Sequence, residues 1–503
     1  MERPGSDRLS EQALTTRTIV GLEIHVQLQT KTKMFCGCPV RFEAPPNSCV
    51  CPVCLGHPGA LPVMNGQAFR WAVLTGMALN CAIARHTKWD RKSYYYPDLP
   101  KNYQISQYDL PLASGGYFEV QVGAGTKRVR IRRAHLEEDA GKNLHDTGNC
   151  TLVDLNRAGT PLLEIVTEPD IESAEEAYVF CIELQRLVTH LGVSEGVMQK
   201  GQMRFEPNVN VAIESDGREY RTPIVEIKNL NSFRSVRQAI EYEAQRQAAA
   251  WRENTDYQLG TVPNENRGWN ADKGVTEFQR GKEAAHDYRY FPDPDLVPVE
   301  VSDAMLAEIR AMLSELPIAR RHRFTKQYGL SVKDAETLVE HRATAELFER
   351  AVTEGAPAEV VGKQFVNVWL KLAHDRGVAV TDLGVDEIRI AGLAKIVADG
   401  TVNKTTANQI AEVMLSRGES PRQLAEELGL VQVQDMDSTG RWVEEAFTAN
   451  EKAVRDALQN PKKMQAAVGF LRGQAMKVSG GKADPKLLGE LIEERLARLR
   501  AGS

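Results

Sequence analysis

Ile19-Val20-Gly21-Leu22-Glu23-Ile24-His25-Val26-Gln27-Leu28-Gln29 (IVGLEIHVQLQ) largely alternates apolar and polar side chains. Successive side chains of a strand point to opposite faces, so this pattern predicts a half-buried β-strand. Glu23 and His25 stand two apart and therefore share a face of it. Tyr117–Val122, Lys127–Ile131, Val209–Ile213 and Ile224–Ile227 carry the same texture. Ala68–Leu79 and Ala174–Leu191 instead place apolar residues at three- and four-residue spacing, which predicts helices. Pro169-Asp170 and the acidic residues after it form an approach to the second helix. As far as Pro298, glycine, proline and aromatics punctuate short strand-like runs. The expectation is a mixed α/β domain built on antiparallel strands.

Beyond Pro298 glycine thins and helix formers dominate. Ser302–Leu313, Val332–His341, Thr344–Glu354, Pro357–Asp375 and Val385–Asp399 read as helices, and Asp399-Gly400 supplies a stop. Ser420-Pro421 and Asp484-Pro485 pair an N-cap with proline at the first helical position. After the latter, Leu487, Leu488, Leu491, Ile492, Leu496 and Leu499 share one helix face. Val478–Lys482, with its Ser-Gly-Gly, reads as a flexible joint. The fold class is α+β. The expected division is a disordered leader over 1–17, a mixed α/β domain over 18–298, a helical domain over 299–405 and a small helical tail over 406–503.

The chain has 503 residues, 42% hydrophobic and 26% charged, an ordinary soluble composition. It contains no run of about 18 apolar residues and no signal-peptide core near its N-terminus, so no membrane partner and a cytoplasmic location are expected. A net charge of −6 argues against a DNA-binding protein. From Glu451 onward, however, 11 Lys and Arg face 6 Asp and Glu, so any phosphate-contacting surface is to be sought there.

Five of the eight cysteines lie between Cys36 and Cys54. Cys36-Gly37-Cys38 and Cys51-Pro52-Val53-Cys54 flank a loop of 12 residues. Two such knuckles can close four thiolates into a tetrahedron around Zn2+, a structural site with no open coordination position. Cys49 is a fifth thiol that could exchange in.

Four segments are loaded with ionisable groups. They are Glu23/His25, His135–Asp139 (HLEED), Asp154–Glu164 (DLNRAGTPLLE) and Glu226–Ser232 (EIKNLNS). A carboxylate in apolar surroundings persists when paired with a cation or bound to metal, and scattered carboxylates with an imidazole suit Mg2+. Lys88–Asp98 and Tyr103–Tyr108 mix cations with aromatics, a composition that holds phosphate and stacks on bases or else packs a core. There is no P-loop, no dinucleotide-binding glycine turn and no serine nucleophile elbow.

Taken in order, Val20–Gln27, the two cysteine knuckles, Arg91–Tyr108, His135–Lys142, Val153–Ile165, Glu226–Phe233 and His286–Asp295 resemble the B subunits of the glutamyl-tRNA(Gln)/aspartyl-tRNA(Asn) amidotransferases. Gly469–Lys477 and the DPKLL segment resemble that family's tail domain. The resemblance implies a catalytic cradle domain over 18–298 that binds ATP and Mg2+ and carries the zinc knuckle. This domain would phosphorylate the side-chain carboxylate of Glu-tRNA(Gln) or Asp-tRNA(Asn). Ammonia from an amidase partner, the A subunit, would then displace the phosphate, with a small third partner, the C subunit, bracing the pair. The helical and tail domains would hold the charged tRNA. The same match implies that Glu23, His25, Glu138, Glu164, Lys92 and Arg157 are catalytic, with His25, Glu138 and Glu164 as Mg2+ ligands. Lys92 and Arg157 would meet phosphate, and Lys228 and Asn229 would join them at the nucleotide. Phe205, Glu206 and Asn210 depart from the family's usual Cys, Asp and Ser, and Gln258–Gln279 is atypical. A zinc-containing tRNA-binding scaffold without catalysis is the competing reading. The retained His25, Glu138 and Glu164 favour the enzyme.

Overall fold

The computed structural model describes residues 15–123, 125–145, 148–282, 287–432, 435–459 and 464–501. Most of the expected leader, residues 1–14, lies outside them. Thr15 to Arg17 already belong to the first strand. The chain divides into two compact units, Met1–Ile318 and Ala319–Ser503.

The first unit is built on one ten-stranded sheet. Its strands in chain order are β1 (Thr15–Gln27), β2 (Ala82–Ile83), β3 (Ala113–Val122), β4 (Gly125–Glu138), β5 (Pro161–Thr167), β6 (Met203–Ser215), β7 (Arg218–Arg221), β8 (Val225–Lys228), β9 (Asn264–Asn270) and β10 (Val275–Lys282). They lie side by side as β10-β9-β8-β6-β1-β5-β4-β3-β2, with β7 beside β6. Every pair is antiparallel except β8 with β9. The expected antiparallel α/β domain is present.

The alternation of the opening stretch decides which face of this sheet is dry. Val20, Leu22, Ile24 and Val26 are buried. They share one core with residues of three helices, α1 (Gly66–Ala78), α2 (Ala174–His190) and α3 (Phe233–Glu253). Each helix starts where a side chain can accept from the free N–H groups of the first turn. Asn65 does so for α1, Ser173 for α2 and Ser232 for α3. Glu175 and Glu176 add favourable charge at the N-terminus of α2. The polar positions of the same strands are left on the other face, where the candidate site lies.

The second unit is helical, and the α+β class holds. The expected helices form over Val332–Val339, Arg342–Thr353 and Glu387–Ala398. The segment expected over Pro357–Asp375 runs from Ala358 to Arg376 but widens into a π turn at Phe365–Trp369. Ser420 caps Pro421–Glu427 with a reciprocal capping box. One apolar core runs from Phe324 to Ala425, and a second gathers Val443, Phe447, Leu471, Leu488, Ile492 and Leu496. The Ser-Gly-Gly joint is pinned rather than loose. Ser479 is buried, and Asn403 donates a hydrogen bond of 2.7 Å to the Gly481 carbonyl.

Among the described residues no helix is long and apolar enough to cross a membrane.

Candidate functional site

Register builds the site. His25 on β1 pairs with Glu164 on β5 and with Arg204 on β6, and Glu164 pairs with His135 on β4. Four chemically active side chains therefore form one row across four strands. Glu23 lies two residues from His25 and opposite Glu206, and Glu137 lies two residues from His135. The His25 Nε2 atom is 3.7 Å from a Glu23 oxygen, 3.6 Å from Glu137 and 3.7 Å from Glu164. His135 Nε2 is 3.4 Å from Glu164. Donor atoms of Glu23, His25 and Glu164 lie within 4.8 Å of one another, as do those of His135, Glu137 and Glu164. Most of these spacings are long for hydrogen bonds and suit ligands that share a cation.

Cations surround the carboxylates. Burial lowers the pKa of Lys92, but the Glu137 carboxylate, with Tyr290 and Glu164, outweighs burial and holds it above the ordinary lysine range. Its ammonium sits 4.9 Å from the Tyr288 ring centroid. Arg133 approaches Glu164 at 3.8 Å, and Arg204 pairs with buried Asp139 at 2.7 Å. Burial opposes a charge on His25, yet its contacts with Glu164 and Glu137 push its pKa up to about 9. Burial pulls His135 down to about 4. Burial and the neighbouring Glu164 push Glu137 up to about 7. The Glu164 carboxyl, which burial would raise, is held well below its usual range by His135, His25 and Lys92. Among the described residues, four buried nitrogens of this patch find no hydrogen-bond partner: His25 Nδ1, His135 Nδ1, Arg133 Nε and Arg204 Nε. Carboxylates and imidazoles converging beside under-used cationic donors can hold a divalent ion against phosphate oxygens.

Of the residues singled out in the sequence, the structure brings Glu23, His25 and Glu164 together and places Lys92 beside them. Glu138 lies elsewhere. Strand alternation turns it away from Glu137, and it accepts hydrogen bonds from the Lys101 ammonium and, at 3.0 Å, from the Ile105 N–H. It lines a cavity next to the cysteine cluster with Lys33, Cys36, Cys54 and Tyr103. Arg157 sits at the margin, donating to the Ala140 and Gly141 carbonyls at 2.9 and 2.6 Å and lying 3.5 Å from Asp139. Lys228 bridges Glu206 at 2.8 Å and Glu226 at 2.7 Å, one strand beyond the row. Asn229, at φ 65°, leaves that strand and lines a separate surface pocket with Asn231, Gly268 and Gln279. The sequence pattern does not single out His135, Glu137 or Arg204 individually. Extending the β4 alternation through Leu136 would have put His135 and Glu137 on the face of Glu164.

The cysteine knuckles close as expected. The sulfurs of Cys36, Cys38, Cys51 and Cys54 lie within 4.8 Å of one another, with Cys51 and Cys54 at 3.9 Å. Zn–S bonds of about 2.3 Å in a tetrahedron give S···S edges of about 3.8 Å, so the four-thiol set fits a metal ion. A hydrogen bond from Cys36, helped by the Cys51 N–H and Lys33, pulls the Cys54 thiol down to about 4. Burial, with the contact to Cys51, pushes Cys38 up to about 11. Cys49 stays out of the cluster, buried, with its N–H donating to Asn156 at 2.7 Å. The departing residues are absorbed locally. Phe205 packs edge-on to Phe233 in the core, Glu206 pairs with Lys228, and Asn210 is buried beside Thr222.

Comparison with known proteins decides the family. The GatB/GatE catalytic domain matches residues 18–307, and the GatB domain matches 346–496. The B subunit of an aspartyl/glutamyl-tRNA(Asn/Gln) amidotransferase from Caldanaerobacter subterraneus subsp. tengcongensis is 44% identical over 480 residues, spanning 95% of this chain and 99% of that protein. The chain belongs to the amidotransferase B-subunit family. Its likeness to the B subunit from Thermotoga maritima is also 44%, over 95% of this chain and 99% of that one. The Rhodopirellula baltica B subunit is 43% identical over 98% and 99%. Members of this family are components of tRNA-dependent amidotransferases, which are carbon–nitrogen ligases.

Proposed function

We propose that the chain activates the side-chain carboxylate of Glu-tRNA(Gln) and/or Asp-tRNA(Asn) with ATP, and that ammonia from an amidase partner completes the amide. The observation carrying this reading is the row of Arg204, His25, Glu164 and His135 with Glu23, Glu137 and Lys92 around it. Glu23, His25 and Glu164, joined by Glu137, would hold Mg2+. The ion would supply charge neutralisation for the phosphates. Lys92, beside Glu137 and Glu164, and Arg204, beside Asp139, would offset the γ-phosphate charge that otherwise repels the substrate carboxylate. That carboxylate oxygen attacks phosphorus, the bond to the bridging oxygen breaks, and ADP leaves. Ammonia then attacks the acyl carbon and inorganic phosphate departs. A carboxylate is a poor acyl donor and its mixed anhydride with phosphate a good one, which is why ATP is needed. Arg157, which keeps the loop from Ala140 to Gly141 in place, acts from the margin of the site, and Lys228 and Asn229 would bound the nucleotide side. The cysteine cluster would hold structural Zn2+. Partners would be the amidase and the small bracing protein of a cytoplasmic heterotrimer, together with the charged tRNA.

The test is ADP formation by the assembled complex without an ammonia source. Release of ADP on adding charged Glu-tRNA(Gln) or Asp-tRNA(Asn), and none with uncharged tRNA, is the expected result. Binding of charged tRNA with no ADP formed would favour the non-catalytic scaffold.

A further inference from the structure

Lys33 is among the largest fully buried side chains, at 0% exposure. A buried ammonium needs a partner, because leaving water carries a large desolvation cost. Its Nζ lies 3.6 Å from Cys54 Sγ and 3.4 Å from the Leu155 carbonyl oxygen. Both acceptors are unusual for a buried lysine, since neither is a carboxylate. The nearby cation Lys101 is already committed to Glu138.

The surroundings explain the choice. Four thiolates around a divalent ion leave a dianion, and a dianion is as costly to bury as a lone ammonium unless it is compensated. Lys33 is also built into the knuckle itself, because its backbone N–H donates to the Cys38 carbonyl at 2.9 Å. The turn over residues 154–160 closes down on its stem. At Gly159, with φ +86°, a Cβ would come within 3.5 Å of both Lys33 Cδ and Cys54 Cβ. The Gly159 carbonyl accepts from the Met34 N–H at 2.7 Å. A second set of bonds joins the same two segments. Asn47 donates to Val153 and accepts from the Leu155 N–H, and the Cys49 N–H donates to Asn156.

We infer that Lys33 is the counter-ion of the four-cysteine centre, compensating the thiolate at Cys54 and tying the centre through Leu155 to the turn that carries Arg157. This rests on the reading of the four cysteines as a metal site. Lys33 is a positioning residue, acting on the metal's ligands and touching no substrate.

The test compares full-length wild type with Lys33→Met, which removes charge and donor, and Lys33→Gln, which keeps a donor without charge. Zinc content is measured by elemental analysis, followed by the rate of zinc release to excess chromogenic chelator. In Co2+-substituted protein the thiolate-to-metal charge-transfer band is recorded. Wild type should hold one zinc per chain, and both variants should release it roughly 10- to 100-fold faster, the usual cost of losing a residue that supports a metal ligand. The Co2+ band should move to lower energy, because removing the cation raises the sulfur lone pairs; a purely packing role for Lys33 would leave it in place. If Lys33→Met is not recovered folded, Lys33→Gln carries the measurement. Variants with wild-type release and an unmoved band would overturn the inference while leaving the metal site intact. A wild-type chain without stoichiometric metal after anaerobic reconstitution would overturn both.

Discussion

Glu137 and Glu138 are neighbours in sequence and do different work. Glu137 faces His25 and Glu164, while Glu138 is locked to Lys101 and the Ile105 N–H. Glu137→Gln should therefore lower amidation by roughly 100-fold or more and raise the Mg2+ needed for half-maximal rate, the scale of loss when a group stabilising transition-state charge is removed. Glu138→Gln should leave the Mg2+ dependence unchanged. It should instead lower the melting temperature, because it strands the buried Lys101 ammonium at a cost of about 3–5 kcal/mol. The opposite pattern would return Glu138 to the metal. The two histidines predict a pH signature of the metal-free protein. His25 titrates at about 9 when folded and 6.5 when unfolded, so its stabilisation is full below pH 6.5 and is lost as the pH rises through 9. His135 titrates at about 4, so the unfolded chain takes up its proton first and stability falls as the pH drops from 6.5 towards 4. Melting temperatures measured in chelator should thus decline on both sides of pH 6.5 through these groups, and His135→Asn should flatten the acid limb alone.

The knuckle loop and the 154–160 turn form one mechanical element. Asn47, Cys49 and Lys33 on one side bond Val153, Leu155 and Asn156 on the other. Stripping the proposed Zn2+ should therefore raise amide hydrogen exchange not only over 36–54 but also over 153–160, while α2 keeps its protection; exchange confined to 36–54 would uncouple the two. The strands that place the site were unevenly legible. β1 was readable because one face is wet and the other dry. β5, which carries Glu164, shows no strand pattern in the sequence, because Leu162, Leu163, Glu164 and Ile165 are all buried and no alternation survives. β9 (NENRGWN) and β10 lack a run of apolar residues, and tertiary pairing rather than local pattern makes them strands. The cysteine cluster was legible from spacing alone, since two short knuckles leave their thiols few arrangements. The convergence of His25, Glu164 and His135 was not, because it depends on the register of three strands distant in sequence.

At the scale of the whole molecule, the proposed tRNA-holding role sets an anionic RNA against an acidic chain. The basic surplus after Glu451 points to the second unit, where Lys477, Lys482 and Lys486 are exposed. Replacing all three by Glu should weaken tRNA binding and flatten its salt dependence, by a slope of about one for each phosphate no longer held; unchanged binding would place the RNA-binding surface elsewhere. The proposed role of the carboxylate-imidazole row is an ATP-dependent activation for amide formation. Its most direct test supplies the assembled complex with ammonium chloride, ATP, Mg2+ and charged Glu-tRNA(Gln) or Asp-tRNA(Asn), which bypasses glutamine hydrolysis by the partner. Gln-tRNA or Asn-tRNA should form only with ATP and be lost in Glu164→Gln. Tight binding of the charged tRNA with no amidated product, or product formed without ATP, would contradict it.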